Sequence, residues 1–350
     1  MEAASTKLRV GVTDVVPGSP AASAVRPRLL DIDTAKGIGI LLVVLGHVVS
    51  QQTPAGHDWY QQLKTVIYFF HMPFFMYLSG YVLGYALNPA KDGALAYVLK
   101  RCDRLLLPFF AFGLIIIAGK MVFSQFVFVD NTQDSLAAYL DGLFIHTARS
   151  PATSVWYLYA AFIYSLVFRL VIVPFPRILP VLILASAVLT QFEVESLFYA
   201  DRVLRHLVFF LIGVWIGRHR EAMEQLLRGY GGALLALFVA ALALAWWNGN
   251  PPAVFAAALA SIPALHGVAL WLAERNDRIF LLLGQYTMAI YLFNTICIGL
   301  VKGFGFLLVK WDGNAFYGYF ILLTAAGIGL PMIIRWVIDR MAPPLARYLQ

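Results

Sequence analysis

The stretch RLLLPFFAFGLIIIAGKMVFS, residues 104–124, contains only two charged residues, Arg104 and Lys120. A helix needs about 20 mostly apolar residues to cross the hydrocarbon layer of a bilayer, so this stretch predicts a membrane span. Nine further candidate spans follow from the same criterion: 37–52, 64–87, 153–173, 177–192, 203–218, 231–247, 253–273, 279–300 and 315–338. We therefore predict an all-α membrane protein built as a bundle of about ten transmembrane helices.

The composition agrees with lipid as the solvent. Hydrophobic residues make up 61% of the 350 residues, charged residues make up 13%, and the mean hydropathy is +0.75. A soluble domain is typically about one quarter charged and under half apolar. The net charge of +7 is not arranged as in nucleic-acid-binding proteins, so we expect no nucleic-acid partner. Cys102 and Cys297 are too far apart to predict a disulfide framework or a metal site.

The distribution of cations predicts the orientation. With the N-terminus in the cytosol, 19 of the 26 Lys and Arg residues fall on the cytosolic side and six on the other. We expect both termini to be cytosolic in a multi-pass protein of the plasma membrane, the inner membrane of a bacterium. The predicted domains are a disordered cytosolic tail (1–27), a membrane domain (28–340) and a cytosolic C-terminal tail (341–350).

The first predicted helix carries two ionisable residues on one face, Lys36 at the cytosolic boundary of the span and His47 within it. Lys36 and His47 are 11 residues apart, which is close to three full turns and a rise of about 16 Å. His47 should then lie roughly halfway across the hydrocarbon layer, where an ionisable group normally faces a cavity or the bundle interior. The alternative is a neutral core histidine bonded to a neighbouring helix. Asp33 is expected to pair with Lys36, because an unpaired lysine near hydrocarbon is unfavourable.

A second basic cluster stands at the start of the third span. Arg101 and Arg104 are i,i+3 neighbours, a spacing that suits the gripping of phosphate groups by planar guanidinium forks. Arginines at a cytosolic helix end also follow from topology alone. His71 is a second histidine within a span, and it either orients His47 or binds a substrate, or simply forms a hydrogen bond beside Pro73.

Aromatic residues in later spans are candidates for stacking against a sugar ring: Trp156, Tyr157, Tyr286 and Tyr291. Such residues also occur as packing or as an interfacial belt. The spacing of the other histidines suggests no partner, so no role is assigned to His57, His146, His206, His219 and His266.

Taken together, these motifs resemble the membrane-bound acyltransferase-3 family. Its hallmarks are an Arg or Lys followed after ten residues by His in the first span, here Lys36 and His47, and an Arg-x-x-Arg at the third, here Arg101 and Arg104. Four further stretches are similar to the family: Leu30–Asp33, Phe70–Gly80, Trp156–Leu158 and Tyr286–Asn294. The resemblance covers about residues 28–340. Lys36 stands where most members have Arg, and Asn294 stands where many members have His.

The resemblance implies an O-acyltransferase. The donor would be cytosolic acyl-CoA, usually acetyl-CoA, and the acceptor a hydroxyl of a cell-envelope or exported polysaccharide or its lipid-linked precursor. Lys36, Arg101 and Arg104 would hold the CoA phosphates. His47 would act either as general base or as acyl-carrying nucleophile, with Lys36 and Asp33 beside it.

The remaining candidates are expected to bind the acceptor: His71, Trp156, Tyr157, Tyr286, Tyr291 and Asn294. Expected partners are the lipid bilayer, the saccharide acceptor and a polysaccharide biosynthesis machinery. Two other functions stay open. One is a transporter or flippase for lipid-linked sugars, with His47 and His71 as proton relays. The other is a non-catalytic membrane subunit of a polysaccharide synthesis complex.

Overall fold

The structure is a computed structural model that describes residues 29–49, 53–86 and 93–349. The described residues confirm the all-α prediction, with one isolated β-bridge between His146 and Leu197. In chain order the α-helices are α1 (Leu30–His47), α2 (Asp58–Tyr85), α3 (Ala94–Arg101), α4 (Leu107–Phe123), α5 (Leu136–Phe144), α6 (Trp156–Val167), α7 (Leu179–Leu189), α8 (Ala200–Arg218), α9 (Arg220–Asn248), α10 (Pro251–Glu274), α11 (Arg278–Gln285), α12 (Thr287–Gly305), α13 (Ala315–Met341) and α14 (Pro343–Ala346). The predicted tail 1–27 lies outside the described residues.

Fewer helices than predicted are long and apolar enough to cross a membrane. Six described segments meet that requirement: Asp58–Tyr85, Ala94–Phe123, Arg220–Asn248, Pro251–Glu274, Thr287–Gly305 and Ala315–Met341. A seventh span results if Trp156–Ile172 and Pro176–Leu189, which meet at 117°, are counted together. The other predicted spans are helical but interrupted by charge, as in α1 and α8, or short, as in α7. The 11 residues of α7 extend only about 16 Å, half the hydrocarbon thickness.

The helices place the predicted basic residues at one end of the bundle. Arg220, at the start of α9, lies 3.5 Å from Asp31 at the start of α1. Arg347, after α14, lies 3.2 Å from Asp103. We call this the basic end, because it also holds the cations of the first and third predicted spans, Lys36, Arg101 and Arg104. The opposite end, where α2 and α13 begin, is the loop end.

The last residues pack against the basic end. Tyr348 donates a hydrogen bond to Asp103 at 2.8 Å, and Leu349 is buried. The segment predicted as a C-terminal tail is therefore folded as α14 and a 3-10 turn, Arg347–Leu349, over the described residues.

Close backbone contact fixes α2 against α8. A Cβ atom at Gly80 would collide with the carbonyl oxygen of Phe210, and one at Gly213 with that of Tyr77. Small residues allow this approach, as in other helix pairs packed within membranes. Gly80 therefore serves the close packing of α2 against α8. The contact holds in place the helix that carries His71.

Helix α1 is held in the same way. A Cβ at Gly37 would collide with the carbonyl oxygen of Phe280, and one at Gly284 with that of Asp33. Helix α1 packs against α2, α10, α11 and α12, so most of its surface faces other helices. Such surroundings can accept a polar residue, which lipid would not.

Candidate active site

Helix α1 ends inside the bundle, beside the first three turns of α2. The last carbonyls of a helix have no partner within the helix, and leaving them unpaired in an apolar environment is unfavourable. Three side chains of α2 supply the missing donors: Tyr60 to the Leu45 carbonyl at 2.8 Å, Tyr68 to Gly46 at 3.1 Å, and Lys64 to Val49 at 2.7 Å. Helix α2 thereby makes it possible for α1 to stop at His47.

The hydrogen bonds of His47 define its tautomer. Its Nδ1 lies 2.8 Å from Oδ1 of Asn294 in α12. The amide nitrogen of Asn294 donates to the carbonyls of Ile290 at 2.7 Å and Tyr291 at 2.8 Å, so the amide cannot be turned over without facing two acceptors. Oδ1 must accept, and Nδ1 of His47 must carry the proton. In the neutral ring, Nε2 then holds the free lone pair.

His47 lines a cavity of about 960 Å³. The cavity lies among α1, α2, α4, α6, α8, α10 and α12, and the loops 127–131, 151–154 and 190–193 contribute to its wall. Four of the predicted site residues line it: His47, His71, Trp156 and Tyr291. Asn294 is buried behind His47 and does not line the cavity itself; it contacts the ring of His47 by the Nδ1–Oδ1 hydrogen bond. This volume exceeds that of a single sugar unit.

Two further histidines face the same cavity in matching tautomers. Nδ1 of His71 lies 2.8 Å from the carbonyl of Ile67, and Nδ1 of His206 lies 2.8 Å from that of Arg202. A carbonyl can only accept, so both Nδ1 atoms donate and both Nε2 atoms remain available. The His206 ring also packs against Trp156 in a tilted arrangement, with ring centroids 5.2 Å apart. Sequence spacing gave no indication of His206, because it reaches the site from α8.

The predicted aromatic residues separate into layers. Tyr291 lines the cavity and donates to the Ser154 carbonyl. Tyr157 is not among the cavity-lining residues; its ring lies 5.3 Å from that of Tyr291, and its hydroxyl is 2.6 Å from Oγ of Ser79. Phe75 packs 6.1 Å from Tyr157 and directly over Gly39 of α1. These rings form a floor between the cavity and the basic end.

The predicted donor-binding residues lie below that floor. Lys36 forms the expected ion pair with Asp33, at 3.2 Å, and its side chain is 34% exposed. The guanidinium of Arg101 lies over the ring of Tyr97, 4.9 Å from its centroid. Lys36, Arg101 and Arg104 are not among the residues that line the cavity. The structure therefore brings together His47, His71, Trp156, Tyr291 and Asn294, and leaves the cations at the basic end as a separate group.

Arg104 lies in a π-helical turn, Cys102–Leu106, between α3 and α4. A π turn is wider than an α turn, so the Arg101 and Arg104 side chains are not spaced as the α-helical i,i+3 prediction assumed. The turn packs against α6. Such turns are rare and frequently occur at functional sites, which agrees with a specific role for this motif.

Two other polar groups at the basic end lie outside the cavity. Tyr286 lies beside Arg335, whose guanidinium is 4.7 Å from its ring centroid, so the structure separates Tyr286 from the other predicted acceptor-binding residues. His266 is fully buried, 2.6 Å from the Tyr77 hydroxyl and 3.3 Å from Asp31. This second network joins α1, α2 and α10 and contributes to packing.

A cluster of lysines lies on the wall of the cavity toward the loop end. Lys302, whose side chain is 3% exposed, forms an ion pair with Asp130. Lys120 donates to the carbonyls of Asp130 at 2.7 Å and Asn131 at 3.2 Å. Lys64 and Lys120 each interact electrostatically with both members of the Lys302–Asp130 pair. We call Lys64, Lys120, Lys302 and Asp130 the lysine cluster.

Comparison with known proteins identifies a family over most of the chain. The acyltransferase-3 family, described as an acyltransferase domain, matches residues 29–336. Nodulation protein NolL of Mesorhizobium japonicum is 31% identical over 169 residues, which cover 47% of this chain and 41% of that protein. NolL of Sinorhizobium fredii is 42% identical over 73 residues, 20% of each chain. The alignments thus span less than half of either relative. No solved structure matches.

Proposed function

Because the chain belongs to the acyltransferase-3 family, we propose that it transfers an acyl group, with acetyl as the expected case, from acyl-CoA to a saccharide hydroxyl. The observation that carries this proposal is the fixed tautomer of His47 at the wall of a cavity of about 960 Å³. An imidazole whose Nδ1 is committed to a rigid acceptor presents Nε2 as a base in one defined direction. General bases need that kind of positioning.

His47 acts in this proposal as general base. Nε2 accepts the proton of the saccharide hydroxyl while the hydroxyl oxygen forms a bond to the thioester carbonyl carbon. The carbon–sulfur bond then breaks, and the imidazolium returns the proton to the departing thiolate. Asn294 accepts from Nδ1 throughout, so the ring keeps its orientation. A nucleophilic His47 would use the same nitrogen, and only a trapped acyl-histidine would favour that alternative.

The donor is proposed to enter from the basic end. The cations Lys36, Arg101 and Arg104 suit the phosphates of CoA, and the excess of Lys and Arg at this end favours a cytosolic location. Lys36 and His47 are separated by about 16 Å along α1, a distance that the pantetheine arm can bridge. The arm has to pass the floor formed by Phe75, Tyr157 and Tyr291.

The acceptor is proposed to enter from the loop end. Trp156 and Tyr291 offer faces for a sugar ring, and His71 and His206 offer acceptors for its hydroxyl protons. We propose an inner-membrane location in a bacterium, with a polysaccharide biosynthesis machinery supplying a cell-envelope or exported saccharide.

The test is acyl transfer by the purified protein in lipid nanodiscs, with radiolabelled acetyl-CoA and a panel of saccharides. His47→Ala should lower turnover by about 10²- to 10⁴-fold, the range that a general base contributes. His219→Ala is the matched control, since His219 is exposed, does not line the cavity, and bonds through its ring to the Trp215 carbonyl. Wild-type turnover in His47→Ala would refute the proposal. Saccharide movement across vesicles without thioester cleavage would favour the transporter.

A further inference from the structure

The wall of the cavity carries more positive than negative charge. Its lining includes five cations, Lys64, Lys120, Lys302, Arg202 and Arg205, and three carboxylates, Asp130, Glu193 and Asp201. Arg202 is adjacent to Asp201 and lies between the rings of Trp156 and Tyr199, 5.5 and 5.4 Å from their centroids. The excess is concentrated in the lysine cluster, where three ammonium groups share one carboxylate.

Such an excess is unfavourable within an apolar bundle. A cation removed from water needs an opposite charge, and hydrogen bonds to neutral carbonyls compensate only part of the loss. Lys120 donates to two backbone carbonyls and Lys64 to one. Asp130 is already in an ion pair with Lys302. The four side chains of the cluster, three lysines and one aspartate, therefore carry a formal charge of +2.

The three lysines also come from three different helices. Lys64 belongs to α2, Lys120 to α4 and Lys302 to α12. Convergence of like charges from separate helices works against packing, and a bound anion would remove that repulsion. Lys64 donates to the carbonyl of Val49, two residues after His47, so an anion at the cluster would lie near the reacting hydroxyl.

On these grounds we propose that the lysine cluster binds an anionic group of the acceptor, a carboxylate or a phosphate, and so selects acidic saccharides. This inference rests on the proposed function and narrows its substrate class. Two sources of the anion are compatible with the same chemistry. One is the carboxylate of a uronic acid, and the other is the phosphate that joins a sugar to a lipid carrier.

The first experiment uses the wild-type protein in nanodiscs with acetyl-CoA. Two acceptor pairs are compared: a uronate-containing oligosaccharide with its carboxyl-reduced form, and a polyprenyl-phosphate-linked sugar with the same sugar released from its carrier. Preference for the charged member of either pair by about tenfold or more in kcat/KM supports the proposal and identifies the source of the anion. Equal use of both members in both pairs overturns it.

The second experiment changes the charge of the lysine cluster. Lys120→Met should raise KM for the preferred anionic acceptor by about tenfold to a hundredfold, the effect of losing a charge-assisted hydrogen bond, and leave KM for the neutral form unchanged. Lys120→Arg keeps the charge and should restore the lower KM. Lys310→Met is the control, because Lys310 is exposed near the loop end and does not line the cavity. Equal KM changes for both acceptors would assign Lys120 to loop anchoring and refute the site.

A binding measurement separates this proposal from the proposed function. Calorimetry with inorganic phosphate or a short oligouronate is carried out on His47→Ala, which retains the cluster, in the presence of saturating CoA so that the cations of the basic end are occupied. Binding that is lost in the His47→Ala/Lys120→Met double variant supports the site even if no acyl transfer is ever detected. No binding to His47→Ala, together with active transfer by the wild type, refutes the site and leaves the acyltransferase proposal intact.

Discussion

Replacement of Asn294 tests the His47 geometry most directly. In Asn294→Leu the side chain keeps its approximate volume but loses the acceptor for Nδ1 of His47. A buried polar group left without its partner costs about 1–3 kcal/mol. Here the ring can avoid that cost by moving its proton to Nε2 or by rotating, and either change removes the base from the cavity. A free-energy penalty of that size corresponds to a decrease in kcat of roughly 5-fold to 150-fold.

The assay is single-turnover acetyl transfer, because it reports the chemical step apart from product release. Asn294→Leu should lower the single-turnover rate and leave KM for acetyl-CoA near the wild-type value, since the donor cations are at the other end of the bundle. Asn294→His supplies a ring nitrogen as acceptor and should retain more activity than Asn294→Leu. Asn294→Asp keeps an acceptor but places a carboxylate against the carbonyls of Ile290 and Tyr291. Its single-turnover rate should therefore lie between those of Asn294→Leu and Asn294→His.

The control for folding is melting temperature in the same nanodiscs. If Asn294→Leu turns over at the wild-type rate while remaining folded, the tautomer of His47 does not matter and the general-base argument fails. A lower rate accompanied by an equal loss for a core variant that does not line the cavity, such as Phe238→Leu, would assign the effect to packing. Phe238 is buried in α9 with Phe70 and does not line the cavity.

Three other perturbations follow from the fold and the basic end. Gly213→Leu should abolish recovery of a monodisperse protein in size-exclusion chromatography, because its side chain would enter the backbone of α2 at Tyr77, whereas a leucine at Gly229, which has open space, should be tolerated. Tyr60→Phe leaves the Leu45 carbonyl at the end of α1 without its donor, and the free energy of unfolding in detergent should fall by about 1–3 kcal/mol. The double change Arg101→Glu and Arg104→Glu should raise KM for acyl-CoA by tenfold or more while KM for the saccharide stays constant. An unchanged KM for acyl-CoA would mean that the two arginines determine only the orientation of the helix in the membrane.

Local patterns were sufficient to predict the all-α class and the helix that carries His47. Apolar runs predicted the helical segments, because hydropathy is a property of consecutive residues, but six or seven described segments, not ten, are long and apolar enough to cross a membrane. The 11-residue spacing of Lys36 and His47 survives in the structure, since both residues belong to the single helix α1. The pairing of Lys36 with Asp33 followed from i,i+3 geometry for the same reason. Predictions within one helix depend only on helical periodicity.

Features that depend on two helices could not be predicted from the sequence. His47 and Asn294 are 247 residues apart, and their contact requires the register between α1 and α12. His206 and the lysine cluster depend in the same way on α8, α4 and α12. The end of α1 at His47 could not be predicted either, because the apolar run continues to Val49. Only the hydrogen-bond donors of α2 explain why the helix ends there. The resemblance could indicate Asn294 as a substituted position but could not show what it contacts.

The end of α1 links acceptor binding to the orientation of the base through Lys64. This lysine donates to the Val49 carbonyl, just beyond His47, and also belongs to the lysine cluster. Lys64→Met should therefore have two effects, of which Lys120→Met has only the first. KM for the anionic acceptor should rise as with Lys120→Met, and kcat should fall for neutral and anionic acceptors alike, because the α1 terminus loses a donor and His47 is held less firmly. Parallel kinetics of the two variants with both acceptors measure the difference. If Lys64→Met changes only KM, the hydrogen bond to Val49 does not position His47, and the two roles are independent.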